Sequence, residues 1–219
     1  MPAKDAIRSG MRTAVELTLV FLAGYAVLVL EIAGVRFLAK DFGGSFYVWV
    51  SQIGMVMAAL AGGYFFGGWF ADRCARPSAL AWLLVPAGLF TLALPELAPP
   101  LIAAIVDRHP LDREIPRLWQ KLDPAIGSAV LFLLPCFALA TLSPFTIRLA
   151  ARKLENVGAI SGRIYAASTV GSIAGVVATG YVLLDWLTVP LIMRATGVLT
   201  MLLGAACWFM NRLYEKPRA

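Results

Sequence analysis

The 219 residues are poor in charge and nearly devoid of the side chains from which metal and hydrolytic sites are built. Only 15% are charged, there is one histidine, His109, and the three cysteines, Cys74, Cys136 and Cys207, are far apart with no C-x-x-C spacing. This argues against a disulfide framework and against a zinc site. The cysteines read as small residues packed among helices, and His109 as an exposed loop residue. The sequence also lacks G-x-x-x-x-G-K-[ST], a G-x-G-x-x-G opening after a strand, and a nucleophilic Ser or Cys beside a plausible base. The longest polar stretch, "DRHPLDREIPRLWQKLD", is too short to be a soluble domain. No catalytic residue, cofactor or metal ligand is therefore assigned, and an enzyme with its whole active site in these residues is not expected.

What the chain has in abundance is apolar length. Sixty per cent of its residues are hydrophobic and its mean hydropathy is +0.77, more than a soluble domain of this size can hide from water. Crossing a ~30 Å hydrocarbon layer takes ~20 helical residues, and runs of that length fall at 13–39, 46–71, 79–106, 124–147, 161–184 and 188–210. The first is too long for a ~7–15-residue signal core and reads as a retained span. Pro95, Pro99 and Pro100 are expected to end the third helix near Leu94, with a separate segment beyond, and Ser143-Pro144 marks a kink in the fourth. The predicted fold is an all-α, polytopic bundle of about six transmembrane helices.

The formal charge of +6 comes from short basic clusters between the apolar runs, an arrangement that sets topology and does not suit nucleic acid. Lys4, Arg8 and Arg12, Arg73 and Arg76, Arg148, Arg152, Lys153 and Arg163, and Arg212, Lys216 and Arg218 all fall on one side. By the positive-inside rule that side is cytoplasmic. Residues 1–12 and 211–219 are then cytoplasmic ends, 13–210 the bundle, and 107–123 an external loop. In that loop Ile115, Leu118, Trp119 and Leu122 recur at helical spacing, predicting a short helix on the outer surface.

Small residues repeat at intervals of four. Ala59, Gly63, Gly67 and Ala71 form one row on the second span, with Gly54, Ala58 and Gly62 beside it; Ala167, Gly171, Gly175 and Thr179 form another on the fifth. Such rows let two helix backbones approach closely. Glu31 is an intramembrane carboxylate about 28 Å along the helix from Arg12. Arg194, at comparable depth on the sixth span, is its expected partner, with Arg36 as runner-up if the helix unwinds near Gly34. An ion pair of this kind orders a bundle, whereas an unpaired Glu handles protons or cations. Gln52, Ser143, Thr169 and Asp185 are further polar groups in or near the spans.

"GGYFFGGWFADRCARP" places Gly68, Asp72, Arg73 and Arg76 in the pattern G-x-x-x-D-R-x-x-R between the second and third spans. This resembles the cytoplasmic signature of the major facilitator superfamily, with Ala75 and Pro77 departing from it. Two longer stretches, "LVLEIAGVRFLAKDFGGSFYVWVSQIGMVMAALAGGYFFGGWFADR" and "LSPFTIRLAARKLENVGAISGRIYAASTVGSIAGVVATGY", resemble the membrane region of the bacterial fused transporter-like and spermidine-synthase-like proteins. The resemblance implies a bundle like half of a major facilitator, in the bacterial inner membrane, in a family where an aminopropyltransferase-like domain often follows. None of that domain's catalytic residues is assigned here.

Three functions follow as expectations: a half-transporter that dimerises to move a small, polyamine-like solute; a membrane anchor or scaffold bound to a partner protein; and a membrane subunit for a separate aminopropyltransferase-like enzyme. In a dimer, Asp72 is expected to meet Ser161 to Arg163 of the second copy. The alternative is a pair within its own chain, with Arg73, Arg76, Arg148 or Arg152. The topology has a direct test. In a cysteine-free background, a membrane-impermeant maleimide should label a cysteine at position 116 in intact cells and one at 215 only after permeabilisation; labelling of 215 in intact cells overturns the assignment.

Overall fold

The computed structural model describes residues 2–74, 76–109, 115–151 and 156–214, with side chains from 10 to 211 within those ranges. It is all-helical among the described residues: α1 (Pro2–Phe42), α2 (Phe46–Arg73), α3 (Ser78–Val106), α4 (Arg117–Ala140), α5 (Leu142–Ala150), α6 (Val157–Ala178), a π-helical turn (Thr179–Leu183), α7 (Leu184–Trp186) and α8 (Val189–Tyr214). Six stretches are long and apolar enough to cross a membrane: Gly10–Phe42, Phe46–Arg73, Ser78–Val106, Arg117–Ala150, Val157–Trp186 and Val189–Asn211. Helices suit this setting because hydrocarbon offers backbone N–H and C=O groups no partner outside the segment itself. The protein is a multi-pass membrane bundle.

The corners follow from local chemistry. Between α1 and α2 the chain turns at Gly43, whose φ of 79° is a conformation L side chains rarely adopt. The fourth span breaks at Thr141, between α4 and α5. Pro144 has no N–H to offer the Ala140 carbonyl, and the Thr141 hydroxyl donates instead to the Ala138 carbonyl at 2.7 Å.

Two expectations are corrected. α3 does not end near Leu94; it runs unbroken to Val106 through Pro86, Pro95, Pro99 and Pro100. Leu94, Ala98 and Ile102 keep one buried stripe in register across those prolines, and this packing outweighs the hydrogen bonds lost. Residues 117–123 are not a separate surface helix but the first turns of α4, continuous with the fourth span. Residues 110–114 of the expected external loop lie outside the described residues.

The helices form two layers. α6, α1, α4 and α2 lie side by side in that order, and α3 with α8 packs behind, α8 against α1 and α3 against α4. The arrangement maps onto itself when the first span is exchanged with the fourth, the second with the fifth and the third with the sixth. The pair α1·α6 becomes α4·α2, α1·α8 becomes α4·α3, and α3·α8 becomes itself. Since the first and fourth spans run in opposite directions, this is the pattern of an inverted repeat.

Glycine makes the equivalent contacts in both halves. A Cβ at Gly63 would lie 2.5 Å from the Phe137 carbonyl oxygen, and one at Gly67 2.7 Å from that of Thr141. On the other side, Gly171 and Gly175 press in the same way on the carbonyls of Phe21 and Tyr25. At the centre of the back layer Gly88 and Gly197 face each other, each Cβ position within 3 Å of the other's carbonyl oxygen.

Gly67→Leu or Gly171→Leu should therefore destabilise the detergent-solubilised protein by about 1–3 kcal/mol or more through overpacking. Gly54→Leu, where a side chain meets nothing within 4 Å, should leave the thermal unfolding midpoint nearly unchanged. Equal effects at the three positions would contradict the assigned seams.

Candidate functional site

Charge inside the bundle is sorted to its two ends. Near the start of the first span, Arg12 donates to the Leu149 carbonyl oxygen at 2.8 Å and pairs with Glu16 at 3.1 Å, and Glu16 is buried. An arginine reaching the last carbonyls of α5 satisfies groups that a helix C-terminus leaves open. Beside it Asp72 pairs with Arg148 of its own chain at 2.7 Å, both side chains more than half exposed. Arg73 lies over the Trp69 ring at 4.1 Å, and Arg76 is exposed. Gly68 has open space around its Cβ position. Asn211 of α8 hydrogen-bonds the Ser78 hydroxyl at 2.9 Å at the start of α3.

At the opposite end Asp123 is buried and accepts from both Arg108 and His109, the latter at 2.7 Å, with Arg108 lying over the Trp119 ring at 4.1 Å. The expectation of an exposed His109 is thus overturned: its side chain is 11% exposed, because the Asp123 carboxylate draws it against α4.

The expected Glu31–Arg194 pair does not form. Arg194 bonds Glu96 on α3. Gly88 and Gly197 fix the register of α3 against α8, which puts Glu96 eight residues and Arg194 three residues towards the same end. The long arginine covers the difference by reaching outward, and half of each side chain stays exposed. Arg36 is also excluded: α1 continues as regular helix through Gly34, and five residues place Arg36 about 140° from Glu31, where it is exposed. Gly34 serves a different purpose, since a Cβ there would collide with the Gln52 side chain.

That leaves a polar group in the interior of the front layer. Gln52, fully buried on α2, accepts from the Ser128 hydroxyl at 2.6 Å and directs its amide nitrogen at the Leu30 carbonyl at 3.5 Å. Both ends of its amide are occupied. Glu31, next in sequence to Leu30, has a buried Oε2 with no hydrogen-bond partner. Cys136 of α4 is also buried. Thr179, at the first residue of the π turn, likewise has a buried hydroxyl without a partner. Of the other polar residues noted in the sequence, Ser143 is buried in α5, while Thr169 and Asp185 are exposed. Among the described residues no group of three or more His, Cys, Asp or Glu side chains is placed to hold a metal ion.

Sequence reasoning passed over Glu16, Glu96, Asp123 and Ser128. Glu16 carried a signal, four residues after Arg12 on one helix. Glu96 and Asp123 sit beside prolines, Asp123 at the end of the expected external loop. The Gln52–Ser128 bond joins residues 76 apart, and nothing local announces it.

Ser128→Ala leaves the Gln52 carbonyl oxygen buried without a donor and should cost about 1–3 kcal/mol of stability. Gln52→Leu combined with Ser128→Ala should recover part of that loss, measured by thermal unfolding in detergent. A fully additive double variant would show that the two side chains do not depend on one another.

Comparison with known protein families, with curated proteins and with solved structures finds no match to this chain, and the role of these groups rests on their geometry.

Proposed function

We propose that the protein is a half-transporter: a six-span bundle of the kind that forms one half of a major facilitator, working as two copies to pass a small solute across the bacterial cytoplasmic membrane. The observation that carries this reading is the two-layer arrangement with inverted-repeat pairing. α3 and α8 cover one side of the four-helix layer α6, α1, α4 and α2, and among the described residues no element of the chain packs over the other side. A second copy meeting that side would enclose a path between two such layers, and a twofold axis would make the contact self-complementary. The Lys/Arg distribution supports cytoplasmic termini, as this reading requires. The G-x-x-x-D-R-x-x-R resemblance at Gly68, Asp72, Arg73 and Arg76 agrees with the same family of folds, although Asp72 is held by Arg148 and dimerisation here does not depend on it.

A second reading is a membrane scaffold for a partner protein. It is favoured by the solid apolar core, where Leu30, Leu84, Leu94, Phe132, Phe145 and Met193 form one continuous cluster through the front and back layers.

Cysteine pairs test the choice. Ala58 and Ala166 are exposed on α2 and α6, the two outer helices of the front layer. In a cysteine-free background, cross-linking of native membranes from cells expressing A58C together with A166C should give a dimer-sized product, and the purified dimer in liposomes should support solute flux. A product containing a different protein, with no dimer, supports the scaffold.

A further inference from the structure

Helix α8 begins lower in the bundle than its neighbours end. Gly88 of α3 packs against Gly197 of α8 and the two helices run in opposite directions, so counting the same distance along each brings Val189, the first residue of α8, about level with Glu96. From that level α3 continues to Val106, about 15 Å further. α1 also outruns α8, since Ile192 packs against Val29 and Ala33 while α1 extends to Phe42. α8 lies against both α1 and α3, and above its first residues the space between them is left without a helix. A cleft of about 340 Å³ stands there, lined by α1 and α3 and, from α8, by Pro190 alone.

The cleft joins apolar wall to unpaired charge. Phe37 and Ile102 line it together with Lys40, Asp41 and Asp107, and these three charged residues are exposed. Among the described residues none of their side chains has an ion pair. Lys40 and Asp41 are neighbours on one helix, about 100° apart, and so do not face each other. Pro95, Pro99 and Pro190 also line the cleft and have no N–H to give, which leaves Lys40 as the positive group for an anion. The depth is that of lipid headgroups: from Glu16 to Lys40 is about 36 Å along α1, more than the ~30 Å hydrocarbon core and less than the ~40–45 Å that includes both headgroup layers.

We propose that this cleft holds the headgroup of a phospholipid bearing a primary ammonium, as phosphatidylethanolamine does. The Lys40 ammonium meets the phosphate, the Asp41 and Asp107 carboxylates accept from the lipid N–H groups, and the first carbons of the chains lie against Phe37 and Ile102. Charge selects this headgroup over the alternatives. A purely anionic one meets two carboxylates against a single lysine, and a choline carries positive charge but no N–H to donate. The volume is near the lower end of the ~300–1,000 Å³ typical of small-molecule sites, so it takes a headgroup and not a whole lipid. Bound there, the lipid fills the place that α8 leaves empty. The cleft lies between α1 and the back layer, away from the face assigned to a second copy, and the proposal depends on neither dimerisation nor transport.

Lipid binding to the purified protein in a maltoside detergent tests it, read as bound adducts by native mass spectrometry and as the thermal unfolding midpoint. The probes are the dihexanoyl forms of phosphatidylethanolamine, phosphatidylcholine and phosphatidylglycerol, with glycerophosphoethanolamine as the same headgroup without chains. The ethanolamine lipid should bind most tightly and raise the midpoint with concentration, as a ligand of the folded state does. Lys40→Ala and Asp107→Asn should each weaken its apparent affinity roughly 2- to 10-fold, the worth of one hydrogen bond, and Asp41→Asn with Asp107→Asn should remove the preference over phosphatidylcholine. These side chains are exposed, so the variants should fold with lipid-free midpoints near that of the wild type. Asp185→Asn, an exposed carboxylate outside the cleft, should bind as the wild type does. Equal binding of the three lipids, or an unchanged preference in the cleft variants, overturns the proposal. Glycerophosphoethanolamine binding as tightly as the lipid overturns it too, because the occupant is then a soluble zwitterion.

Discussion

Backbone-to-backbone approach at the glycine seams is the contact on which the rest of the bundle depends. Helices in lipid gain little from hydrophobic burial, because the tails are as apolar as the side chains, and they associate through close packing instead. Gly63 and Gly67 seat α2 on α4, Gly171 and Gly175 seat α6 on α1, and Gly88 meets Gly197 between α3 and α8. These contacts fix the depth of each helix against its neighbour. Every polar juxtaposition described above inherits its register from them, including Arg194 with Glu96 and Gln52 with Ser128.

The charges divide into those that hold the ends and one that does not. Asp72–Arg148 and Glu96–Arg194 are half exposed or more, and pairs of that kind contribute about 0–1 kcal/mol. They orient loops and helix ends more than they stabilise the bundle. Arg12–Glu16 and the Asp123 cluster are better shielded; Arg12 also reaches the Leu149 carbonyl of α5, and Asp123 ties α4 to Arg108 and His109 just beyond α3. Glu31 stands apart from both groups: it lies well within a span and its buried Oε2 lacks a hydrogen-bond partner.

The bundle is laid out as two equivalent halves. The inverted pairing places α1 and α4 at the centre of one layer, flanked by α6 and α2, with α3 and α8 stacked behind. The halves are alike in their glycine seams but not in their polar groups. The first span carries Glu31, whereas the fourth carries Ser128 bonded to Gln52. Similar backbones thus carry different polar groups in the two halves.

Much of the architecture was determined by the sequence alone. Run lengths of apolar residues marked six crossings, because hydrocarbon thickness sets helix length, and the four-residue spacing of Gly63, Gly67, Gly171 and Gly175 announced close seams, because that spacing defines one face of a helix. Pro144 announced the break near Thr141 by withholding a donor from the preceding turn. Only the tertiary structure decided which helix each seam meets and which charges pair. Glu31 and Arg194 looked matched by depth, but depth is one coordinate, and pairing also requires that the side chains point at one another. The Gly88–Gly197 contact turned Arg194 to Glu96 and left Glu31 on another face. The prolines of α3 misled for a related reason: propensity counts lost hydrogen bonds within a helix, whereas the packed stripe of Leu94, Ala98 and Ile102 that keeps it straight exists only once its neighbours are in place.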